Sequence, residues 1–165
     1  MITDEIIRSI TTPKALSGDI SWSDDGSYTC SRMPLLVDGV GVAGLFLRLK
    51  VRNTVDAHGS LVQLEWDNRI ETTHLSRIDW KVGHTNPNKG PEALRLETMD
   101  STHFHSFHLN YLADEKRMIK KNLPIAKPME PDPISLEEFF IIGEKELMIS
   151  GLARIARPPF QAGFF

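Results

Sequence analysis

Residues 45–52, Leu-Phe-Leu-Arg-Leu-Lys-Val-Arg, put Leu45, Leu47, Leu49 and Val51 at every second position with Phe46, Arg48, Lys50 and Arg52 between them. A period of two is the signature of a strand with one buried face. Leu61 to Trp66 repeats the alternation after a loop containing Asp56, His58 and Gly59, which predicts an antiparallel hairpin. Opposing Val51 to Val62, Leu49 to Leu64 and Leu47 to Trp66 makes three apolar pairs on one face. The same register sets Arg48 across from Glu65 and Lys50 across from Gln63 on the other.

Working outward, Ile78, Trp80 and Val82 predict a strand over His74–Val82, and Asn86-Pro87-Asn88 a turn within Gly83–Gly90. Thr102–Tyr111 reads as a histidine-bearing strand leading into a short charged helix at Asp114–Lys121. Pro124, Pro128, Pro131 and Pro133 make residues 122–134 an extended arm. The arm leads to a helix with Ser135 as N-cap and Glu138 three residues later. Leu136, Phe139, Phe140, Leu147 and Met148 keep helical spacing, and Gly151 suits the stop. Gly143 inside it costs about 1 kcal/mol relative to Ala and makes a break there the competing reading. At the other end Thr3 caps a short helix carrying Ile6, Ile7 and Ile10, limited by Pro13. The expected fold is α+β, a mostly antiparallel β-sheet with a C-terminal helix packed on one face, as a single globular domain over residues 1–165.

The 165 residues are 41% hydrophobic and 25% charged, with net charge 19 − 22 = −3, so neither a disordered chain nor a polybasic coat for nucleic acid or membrane is expected. The charge is uneven: residues 41–95 carry 8 basic and 6 acidic side chains, which leaves room for a local phosphate site. Cys30 is the only cysteine, which fits a reducing compartment and the role of a small buried hydrophobe. Met1-Ile2-Thr3-Asp4-Glu5 lacks the basic start of a signal peptide, and Gly39–Leu47 falls far short of the ~20 apolar residues of a membrane helix. A soluble cytoplasmic protein without a membrane partner is the expectation.

His103 and His105 share one side of their strand, close enough to converge on one ion or one phosphate. A catalytic zinc takes three protein ligands. His84, Asp79 or Asp100 would supply the third, and His84, His103 and His105 are the candidate ligands for zinc or another divalent metal. Without metal, His103 and His105 can serve as general base and acid, oriented by Asp79, with Arg77, Lys81 or Lys89 as the cation for a phosphate. The plainer alternative is that these histidines merely hydrogen-bond a turn beside Phe104 and Phe107. Arg48, Lys50 and Arg52 form a basic row that reads either as a phosphate track or as a solvated, partly neutralised sheet face. Three phenylalanines in the last six residues predict a tail that docks on its own core, on a second copy or on a protein partner. No G-x-G-x-x-G, P-loop, H-E-x-x-H, G-x-S-x-G or Cys-x-x-Cys is present.

Arg77-Ile78-Asp79, His84-Thr85-Asn86-Pro87-Asn88 and Thr102-His103-Phe104-His105, ending near Tyr111, together resemble a pattern in uncharacterised small bacterial proteins. Some of those resemble members of mobile-element or toxin–antitoxin neighbourhoods. The resemblance implies that His84, His103 and His105 belong to one constellation, and it makes an RNA-directed or inhibitor role an expectation. Two functions follow. One is a hydrolase of RNA phosphodiesters, metal-dependent or histidine-based, with His103, His105, His84 and Asp79 catalytic and Arg77, Lys81 and Arg48 on the substrate. The other is a non-enzymatic protein-binding module or inhibitor encoded by a phage or mobile element.

Overall fold

The computed structural model describes residues 2–159. In chain order the elements begin with α1 (Asp4–Thr11), β1 (Lys14–Leu16), β2 (Ser23–Asp25), β3 (Tyr28–Val37), β4 (Val40–Arg52), β5 (Leu61–Asp67) and β6 (Thr72–Asp79). There follow β7 (His84–Thr85), β8 (Thr98–Met99), β9 (His103–His105), α2 (Phe107–Asn110), β10 (Tyr111–Leu112) and β11 (Arg117–Met118). The last are β12 (Lys127–Pro128), α3 (Leu136–Leu147) and β13 (Ile149–Ser150). The main sheet runs β12-β9-β6-β5-β4-β3-β1-β13, with β2 also paired to β3. Every pair in it is antiparallel except β1 with β13.

One face of this sheet is the apolar core. Leu45, Leu47, Leu49 and Val51 of β4, Val62 and Leu64 of β5 and Ile78 of β6 are all buried there. Each is worth about 1.5–3 kcal/mol of transfer free energy. Helix α3 packs on the sheet through Leu136, Phe139, Phe140 and Leu147, so a mainly antiparallel sheet carrying a C-terminal helix is the architecture observed. The hairpin register differs from the expected one by two residues: Leu45 faces Trp66, Leu47 faces Leu64 and Leu49 faces Val62. A shift of two leaves every side chain on its face, so alternation alone does not choose between these registers. What selects the observed one is the longer turn, where Ser60 Oγ accepts from Arg52 N and donates to the Ala57 carbonyl.

Helix α3 is unbroken at Gly143. A Cβ there would lie 3.0 Å from Leu152 Cδ2 and 3.5 Å from both Val62 methyls, so the missing side chain lets the helix approach β5. The helix ends on Met148, which takes the left-handed conformation (φ 54°), and Gly151 (φ 97°) instead opens the following 3-10 turn. Ser135 accepts from Glu138 N as expected, but the Glu138 carboxylate accepts from Ile134 N, one residue earlier than a capping box requires. At the N-terminus Thr3 accepts from Ile6 N as expected.

The histidine-bearing stretch is not one strand. β9 stops at His105, and Phe107–Asn110 forms one helical turn held by Ser76 Oγ on Phe107 N. The expected helix over Asp114–Lys121 is a hairpin, with Tyr111 opposite Met118 and Leu112 opposite Arg117. Met118 is buried against the core, which a solvated charged helix would not achieve. The proline-rich arm is irregular except at Lys127–Pro128, which join the main sheet beside β9, and Leu123, Ile125 and Ala126 are fully buried. Two buried asparagines bind its backbone. Asn110 accepts from Ile125 N and donates to Ile125 O, and Asn86 accepts from Ala126 N and donates to Ala126 O. Each side-chain amide replaces the strand partner that the prolines deny the arm. Cys30 is half-buried on the polar face, 3.7 Å from Asp25 Oδ2, rather than in the core. The phenylalanine-rich tail, Phe160 to Phe165, lies outside the described residues. Among the described residues no helix is long and apolar enough to cross a membrane.

Candidate functional site

The second face of the sheet is polar, and much of it is enclosed. Cross-strand registers align Arg32, Arg48, Gln63, Arg77 and His105 in one row over β3, β4, β5, β6 and β9. The adjoining row places Lys50, Leu61, Asp79 and His103 side by side. At the β3–β4 end the row is open, with the Arg48 side chain 39% exposed, and at the β9 end it is closed, with His103 and His105 both at 0%. The closing lid is residues 84–99, where β7 pairs with β8, and it carries His84 over the two sheet histidines. Its ring stacks on His103 (centroids 5.2 Å) and meets His105 edge-on (4.7 Å). One ring nitrogen from each of His84, His103 and His105 lies within 4.8 Å of the other two.

Hydrogen bonds fix how each ring is protonated. His84 Nε2 lies 3.0 Å from Asn86 Oδ1 and 3.1 Å from the Pro124 carbonyl, both acceptors, so Nε2 carries the hydrogen and Nδ1 keeps its lone pair. His103 Nδ1 lies 3.0 Å from the Ser101 carbonyl and donates to it, which leaves the lone pair on Nε2. His105 Nε2 lies 3.1 Å from Asp79 Oδ2, and donation there leaves no buried N–H without an acceptor. His103 Nε2 and His105 Nδ1 are buried with no hydrogen-bond partner.

Asp79 is the hub. Its Oδ2 accepts from Arg77 Nε at 2.9 Å and lies 3.1 Å from His105 Nε2 and 3.4 Å from His103 Nε2. Burial alone would raise its carboxyl. The His105 hydrogen bond and the Arg77 charge oppose this, and the group is held well below the usual carboxylate range. Burial pushes the His105 imidazole down, and the Asp79 hydrogen bond offsets only part of that, so the ring is neutral at pH 7. A neutral imidazole is the form that binds a metal or accepts a proton. Arg77 NH2 also lies 3.1 Å from His105 Nε2, a close approach rather than a hydrogen bond once that nitrogen donates to Asp79, and it sets a guanidinium beside the cluster.

The structure therefore brings together five of the residues singled out by sequence: His84, His103, His105, Asp79 and Arg77. Others lie apart, the exposed Lys89 among them. Lys81 sits 4.0 Å from Asp132, Asp100 is exposed beside Gly83, and Arg48 contacts Glu65 at 3.7 Å two strands away. Sequence reasoning missed the supports. Asn86 is buried and spends four hydrogen bonds on His84, Leu94 and Ala126; its signal was its place in the His-x-Asn-Pro turn. It also missed a second buried group beside the first. Glu65, at 0% exposure, is held by Arg32 at 2.9 Å and Gln63 at 2.6 Å, opposite a largely buried His74. Alternation in β5 placed Gln63 and Glu65 away from the core but carried no sign that this face is covered too. No family model, curated protein or solved structure matches this chain, so the reading of the site rests on its own geometry.

Proposed function

We propose that the chain is a hydrolase of phosphodiesters, with RNA as its substrate, and that its reaction centre is the His84–His103–His105 cluster. The observation that carries this is the convergence of three imidazoles, a carboxylate and a guanidinium from β6, β7 and β9 on one enclosed end of a polar sheet face. Each has a role suited to its surroundings. The imidazoles supply the nitrogen lone pairs on which the reaction depends. Asp79 holds the His105 ring through Nε2, and Arg77, whose side chain retains 18% exposure, receives the phosphate. Substrate approaches past His84, the half-buried member of the three.

The test compares wild type with His103→Ala/His105→Ala and with Arg77→Gln on a single-stranded RNA oligonucleotide. Loss of the imidazoles is expected to lower the rate by about 10²-fold or more, whether their lone pairs move protons or hold an ion. Arg77→Gln is expected to raise KM as well as lower kcat, because it meets the phosphate in the ground state too. Equal cleavage by the double variant, or none by wild type under any metal condition, would refute the hydrolytic reading.

A further inference from the structure

We infer that His84, His103 and His105 form a mononuclear site for a divalent transition ion of the zinc class, ligated through His84 Nδ1, His103 Nε2 and His105 Nδ1. The inference does not depend on the hydrolytic reading, since a bound ion is detected without any substrate.

Three observations carry it. The first is a charge problem. With its Nδ1 hydrogen donated to the Ser101 carbonyl, His103 presents a lone pair to Asp79 Oδ2 at 3.4 Å, so two electron-rich atoms face each other inside the protein. Arg77 serves the Asp79 side of this contact, and a positive centre on the His103 side relieves the rest. A proton on His103 would do so, but would leave the buried Nδ1 of His105 without a partner. One cation satisfies all three nitrogens together.

The second is the outer layer. Metal-bound histidines almost always give their other ring N–H to a carbonyl or carboxylate. His84 does so to Asn86 and Pro124, His103 to Ser101 and His105 to Asp79. All three rings are thus held in the tautomer that a ligand needs. The third is donor chemistry. Three neutral imidazoles suit zinc, copper, nickel or cobalt and are poor donors for magnesium or calcium. Ligand nitrogens around zinc stand about 3.3 Å apart at bond lengths of ~2.0–2.1 Å. One nitrogen of each ring lies within 4.8 Å of a nitrogen of the other two, so an ion of this class gathers rings that already stand together. His103 and His105 are fixed on the sheet, whereas His84 rides on the excursion over residues 84–99. The ion therefore fastens that excursion to β9.

The experiment uses the full chain, stripped with chelator and titrated with Zn²⁺ and with Co²⁺. Expected are one ion per chain, a cobalt visible spectrum of tetrahedral type, a rise in thermal midpoint and slower proteolysis within residues 84–99. His84→Gln changes a half-buried residue and is expected to abolish these responses. Asp79→Asn, which disturbs only the outer layer, is expected to weaken binding by about 10–100-fold. Ring ¹⁵N spectra of wild type with and without Zn²⁺ need no variant, and are expected to show coordination at His84 Nδ1 and His103 Nε2. A folded wild type that takes up no ion overturns the inference. So does equal uptake by His84→Gln, or a metal-free His103 ring protonated on both nitrogens and unchanged by Zn²⁺. Uptake of one ion without RNA cleavage would sink the hydrolytic reading and leave the metal site standing.

Discussion

Replacing Asn86 by alanine removes the side chain on which both the arm and His84 rely. The amide makes four hydrogen bonds: it accepts from Ala126 N (2.8 Å) and His84 Nε2 (3.0 Å) and donates to Ala126 O (2.8 Å) and Leu94 O (2.9 Å). Ala126 is fully buried, so its N–H and C=O lose partners that solvent does not readily replace. Leaving a buried polar group unsatisfied costs about 1–3 kcal/mol, which for the two Ala126 groups sums to ~2–6 kcal/mol. The hollow left by the amide is polar and roughly large enough for one water, which brings the expected loss to about 3 kcal/mol. For a denaturant slope near 2 kcal/mol per molar urea, the midpoint falls by about 1.5 M. Hydrogen exchange supplies the local readout: the Ala126 amide loses protection while Ile125, held by Asn110, keeps its own. Asn110→Ala is the reciprocal control, with a similar drop in midpoint and exposure of Ile125 instead. A midpoint shift under about 0.3 M in Asn86→Ala with Ala126 still protected would show that the arm is held by its apolar side chains alone.

Two further perturbations probe the rest of the fold. His74 is driven below its ordinary pKa chiefly by burial, with Glu65 opposing and Arg77 and Arg48 assisting. The unfolded chain then binds the extra proton first, so stability falls as pH drops through and below about 6.5. His74→Gln should flatten the urea midpoint between pH 5 and 7, and an unchanged slope would mean that other groups set it. Gly143→Val forces methyls into Leu152 and Val62, and should lower stability by about 1–3 kcal/mol in thermal unfolding. A neutral result would place α3 farther from β5 than described.

What the sequence made legible follows from what each signal encodes. Alternation in residues 45–52 and 61–66 encodes a face, so the core was readable while the register slipped by two, a shift that keeps every face. Ser135 and Thr3 announced their helices because capping is local. The region from 106 to 121 was misread because its conformation is set by distant partners: Ser76 on Phe107, and the core against Met118. The same division holds at the site. His84, His103, His105, Asp79 and Arg77 were visible as residue types at strand ends. Asn86, Ser101 and Pro124 were not, since two of them act through backbone carbonyls that any residue possesses. Nor does a strand pattern reveal that the polar face is roofed.

The parallel pairing of β1 with β13 joins Lys14 to Ile149 and Ala15 to Ser150, with Ser150 Oγ donating to the Lys14 carbonyl. Nearly the whole chain forms the loop that this contact closes. Closing it early would carry the largest entropic penalty of any pairing in the sheet, so the β2–β6 meander is expected to assemble first and this seam last. The seam is also short, and it anchors the chain directly after α3. On the time axis it is therefore the natural place for reversible opening: β13 can lift and reseat while α3 and the hairpins stay packed, and its amides should exchange through a lower-energy event than those of β4 and β5.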